Sequence, residues 1–200
     1  MKVKVCGLTE QNNIKEVIET GPDYIGFIFY KGSKRCIHKL PLDIPSSSQK
    51  VGVFVNERFE EIYRFVSEYK LDMVQLHGEE PPSLCKQLRE AGIPVIKAIP
   101  VQNQLSLECL SLYDVDFFLF DTAGPLKGGN GFSFDWQLLC DASIETPFLI
   151  GGGLDYDSIA TIKSLHLPNL VGLDFNSRLE DQPGIKNIKK VKQIIHGIRN

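Results

Sequence analysis

Two side chains that can move protons stand at the ends of apolar runs in this sequence. Cys6 follows the run Val3–Val5 directly before a glycine, and Asp121 closes the run FFLFD before Thr122. A thiolate can accept a proton, and desolvation raises the pKa of a carboxyl group, which suits a general acid. The alternatives are a small buried hydrophobe for Cys6 and a helix cap or loop aspartate for Asp121.

Glycine turns and one arginine indicate that the same region could bind an anion. LIGGGL contains Gly152 and Gly153, and LDFNSRLE contains Ser177. Glycine lets backbone N–H groups approach an anion, and a following helix N-terminus adds partial positive charge, although either segment could be a plain tight turn. Arg35 could grip a carboxylate with its planar fork, unless it is an ordinary surface arginine. The glycine-rich loop 128–136 could be a lid or a flexible connector.

The elements that must position these residues are eight strand–helix units. Short apolar runs alternate with helical patterns along the whole chain; they are VKVC, YIGFIF, VGVFVN, DMVQLHG, PVIKAI, FFLFDT, PFLIGGG and NLVGLDF. Strands joined by helices imply a parallel sheet, and eight units predict a single (β/α)8 barrel, an α/β fold, over residues 1–200. The irregular stretch 31–49 predicts a short or irregular second helix. A doubly wound open sheet is the competitor, but its usual GxGxxG is missing after the first strand.

Active sites of such barrels gather at the carboxyl ends of the strands. The polar or glycine residues there are Cys6, Arg35, Asn56, His77, Asp121, Gly152, Gly153, Asp174 and Ser177. Alternation along the first strand puts Lys4 and Cys6 in the lumen, and barrel closure puts Asp174 of the eighth strand beside them. A cation beneath a thiol favours the thiolate, and a thiolate can accept a proton. The alternative for Lys4 is a solvated residue of an exposed strand.

Two finer predictions concern helices. Ile14, Val17 and Ile18 have helical spacing, with Thr9 as a possible N-cap and Gly21 as the stop. The fifth strand is predicted to be followed by a helix that runs through residues 105–112.

Composition excludes several classes of protein. The chain has 200 residues, of which 42% are hydrophobic and 24% charged, and a net charge of −3. These values predict an ordinary globular protein without a nucleic-acid surface. The chain has five cysteines, an odd number, and no CxxC pair, which predicts a reduced, cytoplasmic protein. It has no N-terminal apolar run, which predicts that there is no signal peptide or membrane span. The four histidines are scattered, and none forms a ligand pair with a nearby Cys or His, so the sequence does not favour a zinc site.

Eight motifs in order resemble the phosphoribosylanthranilate isomerase family between Lys4 and about Lys190. They are KVCGLT, GFIF…SKR, VGVFVN, VQLHG, FDT, GGNGFSFDW, IGGGL and GLDFNSRLE…PGIKN. The resemblance implies a (β/α)8 barrel of tryptophan biosynthesis that carries out an Amadori rearrangement of N-(5-phosphoribosyl)anthranilate. It implies a small phosphorylated substrate, no metal or cofactor, and a monomer or homodimer.

The resemblance also implies a role for each site residue. Cys6 would be the general base and Asp121 the general acid. Arg35 would hold the anthranilate end of the substrate, and Asp174 would line the sugar site. The phosphate would be held by the loops at Gly152 and Gly153 and at Asn176 and Ser177.

The sequence departs from the family pattern at three positions near these loops. Lys34 stands where proline is usual, and Asn176 and Arg178 stand where serine and glycine are common. These changes bear on affinity more than on reaction type, since Arg178 could add charge near the phosphate or narrow the site. Two alternative functions stay open: another sugar-phosphate barrel enzyme, and a non-catalytic sugar-phosphate binder.

Overall fold

Eight parallel strands form a closed barrel in the computed structural model, which describes residues 1–37, 47–122 and 134–200. The strands are β1 Lys2–Cys6, β2 Tyr24–Ile28, β3 Gln49–Phe54, β4 Met73–Leu76, β5 Val95–Val101, β6 Phe117–Thr122, β7 Phe148–Ile150 and β8 Leu170–Phe175. Each strand pairs with the next, and β8 pairs with β1. The predicted barrel is therefore confirmed, and every predicted apolar run overlaps one of its strands.

Helices cross over between strands on the outside of this barrel, which is why neighbouring strands are parallel. They are α1 Gln11–Glu19, α2 Phe59–Tyr69, α3 Pro82–Glu90, α4 Gln137–Cys140, α5 Tyr156–Ser164 and α6 Ile188–Arg199. A small hairpin, β9 Glu180–Gln182 and β10 Ile185–Lys186, lies between β8 and α6. Between β2 and β3, residues 29–37 and 47–48 contain no helix. The rest of the predicted second helix lies outside the described residues.

Two helix predictions differ from the structure. The N-cap of α1 is Glu10, whose carboxylate accepts the N–H groups of Asn12 and Asn13, whereas the Thr9 hydroxyl donates to the Gly184 carbonyl. The predicted helix over residues 105–112 is replaced by two 3-10 turns, Gln104–Leu107 and Leu110–Leu112. Ser106 Oγ accepts the Gln102 N–H there, and such local side-chain bonds compete with an α-helix.

The lumen has an apolar floor beneath a polar upper layer. The floor is one cluster of buried side chains: Tyr24, Val51, Met73, Ile96, Ala98, Leu119 and Leu149. Along β1 the side chains alternate as predicted, with Val3 and Val5 packed in the outer core between sheet and helices and Lys4 inside the barrel.

The described residues contain neither a candidate membrane span nor a candidate metal site. None of their helices combines the length and apolar character that crossing a bilayer requires. In residues 1–37, 47–122 and 134–200, no three His, Cys, Asp or Glu side chains cluster as a metal site would need. Of the predicted lid 128–136, residues 128–133 lie outside the part of the chain that the structure describes.

Candidate active site

A cavity opens at the carboxyl ends of the strands, with about 710 Å³ of space including its open mouth. All eight predicted site residues line this cavity: Cys6, Arg35, Asp121, Gly152, Gly153, Asp174, Asn176 and Ser177. His77 and Arg178 line it as well. Asn56 does not; its side chain accepts the Glu79 N–H and supports a loop. The structure thus brings residues from six strand ends to one place.

The ammonium of Lys4 contacts two residues that line this cavity, Asp174 and Cys6. β1 and β8 pair in a register that sets Lys4 opposite Asp174, and Lys4 Nζ donates to Asp174 Oδ2 over 2.8 Å. Lys4 is fully buried. Burial alone would lower its pKa, but the charge and hydrogen bonds of Asp174 and Cys6 outweigh burial and raise it. The partners of Lys4 thus favour its cationic form beneath the thiol, where alternation and barrel closure predicted it.

The thiol of Cys6 is buried, with its sulfur against the backbone of β2. A side chain at Gly26 would bring its Cβ to 2.6 Å from Cys6 Sγ, so a glycine makes room for the sulfur. Burial raises the pKa of Cys6, although the charges of Lys4 and Lys186 pull it down. A base role for Cys6 requires a lowered pKa when substrate is bound, and in the free protein burial outweighs the nearby cations. Sequence patterns show the nearby cation but not the extent of burial.

The carboxyl group of Asp121 is held at two points at the end of β6. Its Oδ1 accepts the Thr122 N–H over 2.8 Å, and its Oδ2 lies 3.1 Å from His77 Nε2. The other ring nitrogen of His77 lies 2.8 Å from the side-chain nitrogen of Gln75. Gln75 and His77 lie two residues apart and therefore face the same lumen. Sequence analysis placed His77 at a strand end but assigned it no role.

The guanidinium of Arg35 lines the cavity but is already engaged. Its Nε and Nη2 donate to the carboxylate of Glu180 over 2.7–3.0 Å. Sequence analysis missed Glu180 and its second partner, Lys186, although both lie within the quoted motif GLDFNSRLE…PGIKN. Charged residues in a loop give no signal of pairing when the partner lies far away in the chain.

The two glycine turns shape the wall beside Asp121. Gly152 and Gly153 have φ values of +84° and +67°, which favour glycine. A Cβ at Gly152 would lie 2.7 Å from both Asp121 Oδ1 and the Thr122 nitrogen, so this loop packs directly against the acid. The carboxylate of Asp155 caps α5 by accepting the Ser158 N–H. The Asp155 carboxylate therefore already occupies one of the N–H groups at the start of α5.

Comparisons with known proteins agree on one family. Residues 3–197 match the family model described as N-(5'phosphoribosyl)anthranilate (PRA) isomerase. The N-(5'-phosphoribosyl)anthranilate isomerase of Parabacteroides distasonis is 41% identical over 206 residues, which cover 99% of this chain and 93% of the relative.

Solved structures give the same result. The phosphoribosyl anthranilate isomerase of Thermotoga maritima is 34% identical with a TM-score of 0.89, covering 100% of this chain and 98% of that one. Another solved isomerase, in complex with reduced 1-(o-carboxyphenylamino)-1-deoxyribulose 5-phosphate, is 32% identical with a TM-score of 0.83 and the same coverage.

Proposed function

The chain belongs to the phosphoribosylanthranilate isomerase family, and we propose that Cys6 and Asp121 are the acid–base pair of its reaction. The reaction is the Amadori rearrangement of N-(5-phosphoribosyl)anthranilate to 1-(2-carboxyphenylamino)-1-deoxyribulose 5-phosphate in tryptophan biosynthesis. One observation carries the proposal: both residues line the same cavity. Cys6 lies on β1 and Asp121 on β6, and β7 and β8 lie between these two strands around the barrel. This separation suits proton transfers at two different atoms of one sugar.

Asp121 acts first, as the general acid. Its protonated carboxyl donates to the furanose ring oxygen while the C1–O bond breaks and the nitrogen lone pair forms the C1=N bond. The result is an open-chain protonated Schiff base. Cys6 then acts as the base, because the iminium acidifies the C2 proton. The thiolate takes that proton, the C2–H electron pair forms C1=C2, and the nitrogen becomes neutral.

The resulting enolamine tautomerises to the ketone, with a proton leaving the C2 hydroxyl and one added at C1. Asp121 ends as a carboxylate and Cys6 as a thiol, so solvent must return one proton to Asp121 and take one from Cys6 before the next turnover. The raised pKa of the free thiol makes this second step a requirement for activity. The cations of Lys4 and Lys186 favour the thiolate.

The remaining residues bind the substrate. We assign the anthranilate carboxylate to Arg35, the sugar hydroxyls to Asp174, and the phosphate to the loops of Gly152, Gly153, Asn176 and Ser177. The complex of a relative with the reduced product supports a small phosphorylated ligand. We also propose a single barrel domain over residues 1–200, a cytoplasmic location, and a monomer or homodimer, which sedimentation would distinguish.

A fluorescence assay that follows consumption of phosphoribosylanthranilate tests the acid–base assignment. Cys6→Ser and Asp121→Asn should each lower kcat by about 10²- to 10⁴-fold, the usual loss for a general acid or base. Cys140→Ala, outside the cavity, should keep the wild-type rate. A Cys6→Ser protein with the wild-type kcat would overturn the base assignment. Binding of the reduced product without turnover in the wild type would favour the non-catalytic binder.

A further inference from the structure

Arg35 forms a two-pronged bridge with Glu180. Arg35 Nε donates to Oε1 over 2.8 Å, and Nη2 donates to Oε2 over 2.7 Å. The two side chains are 15% and 5% exposed. A guanidinium and a carboxylate in this arrangement hold each other in one plane, so the bridge sets direction as well as charge.

Glu180 also forms an ion pair with Lys186, which is fully buried. Lys186 Nζ donates to Glu180 Oε1 and to Asn176 Oδ1, each over 2.7 Å. The Gly184 N–H adds a third bond to Glu180 Oε1, over 3.1 Å. Asn13 of α1 fixes the backbone of Lys186 through its side-chain oxygen and nitrogen. The carboxylate therefore has little freedom to rotate.

The turn that follows Cys6 leaves space for this arrangement. Gly7 has a φ of +76°, and a Cβ there would lie 2.6 Å from Asn176 Oδ1 and 2.8 Å from Arg35 Cδ. Arg35 and Asn176 thus cross directly over the residue after Cys6. The bridge is connected to the proposed catalytic strand and does not lie on a remote surface.

Charge and geometry leave one edge of Arg35 for a ligand. Two cations, Arg35 and Lys186, share one anion, Glu180, so the cluster carries a formal charge of +1. Nε and Nη2 face Glu180, and Nη1 has no hydrogen-bond partner among residues 1–37, 47–122 and 134–200. One unit of positive charge and a free N–H edge beside the cavity match one carboxylate.

We propose that Glu180, braced by Lys186, is a positioning residue that aims Arg35 at the carboxylate of the aromatic ring of the substrate. The inference rests on the proposed function, in which Arg35 binds that carboxylate. Glu180 itself does not touch the substrate; it acts by fixing the plane of the guanidinium before the substrate arrives. Pre-organisation of this kind lowers the entropy cost of binding.

The test compares two ligands on matched variants. The first ligand is the reduced product, which carries the ring carboxylate, and the second is the same compound with a phenylamino group that lacks it. Glu180→Asp keeps the charge but withdraws the carboxylate by one methylene group. The double variant E180Q/K186M removes both charges of the buried pair, so the cluster keeps its formal charge of +1 on Arg35. Proteins often tolerate the replacement of a whole buried ion pair by uncharged residues. Glu61→Gln breaks an exposed arginine bridge with Arg64 and is the matched control.

Calorimetric titration should show a selective loss. In Glu180→Asp and in E180Q/K186M, the reduced product should bind about tenfold more weakly, whereas the ligand without the carboxylate should change by less than about twofold. In the assay, Glu180→Asp should raise KM about tenfold with kcat within about threefold, and Glu61→Gln should match the wild type. An equal loss for both ligands, or none, in either folded variant would overturn the positioning role.

Arg35→Ala separates this inference from the proposed function. If Arg35→Ala does not weaken the carboxylate-bearing ligand selectively, the assignment of Arg35 to the substrate carboxylate fails. If Arg35→Ala shows the selective loss and Glu180→Asp does not, only the role of Glu180 fails.

Discussion

The Nε2 atom of His77 lies 3.1 Å from Oδ2 of Asp121, and the Gln75 side-chain nitrogen lies 2.8 Å from Nδ1 of the same ring. An amide nitrogen only donates, so Nδ1 accepts and the ring proton stands on Nε2, directed at the carboxylate. Gln75 is buried. The three side chains form a row that sets the direction of the Asp121 carboxyl group in the cavity.

His77→Ala should therefore impair the chemical step more than binding. Loss of the hydrogen bond that orients the Asp121 carboxyl group, about 1.4 kcal/mol, corresponds to about a tenfold fall in kcat, with a smaller change in KM. Steady-state kinetics with purified substrate measures both constants. His166→Ala, at an exposed position, is the control and should behave as the wild type. An unchanged kcat in His77→Ala would show that Asp121 is held without the histidine.

Lys4→Met should destabilise the barrel strongly. The Asp174 carboxylate would stay buried in the lumen without its 2.8 Å partner, which costs about 3–5 kcal/mol. Removing both charges in K4M/D174N should recover most of that loss in the free energy of unfolding, measured with urea. Lys86→Met, whose partner Glu90 is equally exposed, should change the free energy little. A Lys4→Met protein as stable as the wild type would mean that the pair contributes nothing.

The Cys6 thiol should be slow to alkylate in the free protein at neutral pH. Cys6 is buried and burial raises its pKa, so the thiolate fraction is small and grows as pH rises. Iodoacetamide labelling followed by mass spectrometry should show Cys109 and Cys140, which are partly exposed, modified first. Labelling of Cys6 should increase with pH, and Lys4→Gln should slow it because one stabilising cation is lost. Cys6 labelled first at pH 7 would contradict this prediction.

The Glu180 bridge should make stability depend on pH in the acid range. Burial alone would raise the pKa of Glu180, but hydrogen bonds and charges from Arg35 and Lys186 hold it below its ordinary value. The unfolded chain then binds more protons at this site, so the stabilisation is fully present above the ordinary glutamate pKa. It is lost as pH falls through the lower pKa of the folded protein.

Urea unfolding between pH 3 and pH 7 measures this dependence. E180Q/K186M should lose less free energy of unfolding over that range than the wild type does. Glu61→Gln should keep the wild-type slope, because water screens an exposed bridge. Parallel curves for the wild type and the double variant would show that Glu180 does not contribute.

Local patterns in the sequence were sufficient for the barrel and for the inner face of β1. A side-chain period of two is a property of any strand, so it placed Lys4 and Cys6 in the lumen without knowledge of the rest of the chain. Closure of eight parallel units makes β1 and β8 neighbours, which predicted Asp174 beside Lys4. The grouping of the site residues at the strand ends follows from the same topology.

Helix boundaries were less predictable, because local competitors decide them. Glu10 rather than Thr9 caps α1, because the Thr9 hydroxyl donates to the carbonyl of Gly184 in the hairpin of β9 and β10. The 3-10 turns after β5 replace an α-helix where Ser106 bonds to a nearby N–H group. Apolar spacing alone carries neither kind of information.

Sequence by itself determined which residues can do acid–base and anion chemistry here, because residue type and strand position are local properties. Only the tertiary structure decided their partners and their ionisation. The bridge from Arg35 to Glu180 joins residues 145 positions apart, and no periodicity spans that separation. The raised pKa of Cys6 is the balance of burial against two cations from different parts of the chain. That balance depends on how far water is excluded, which packing sets and sequence patterns do not report.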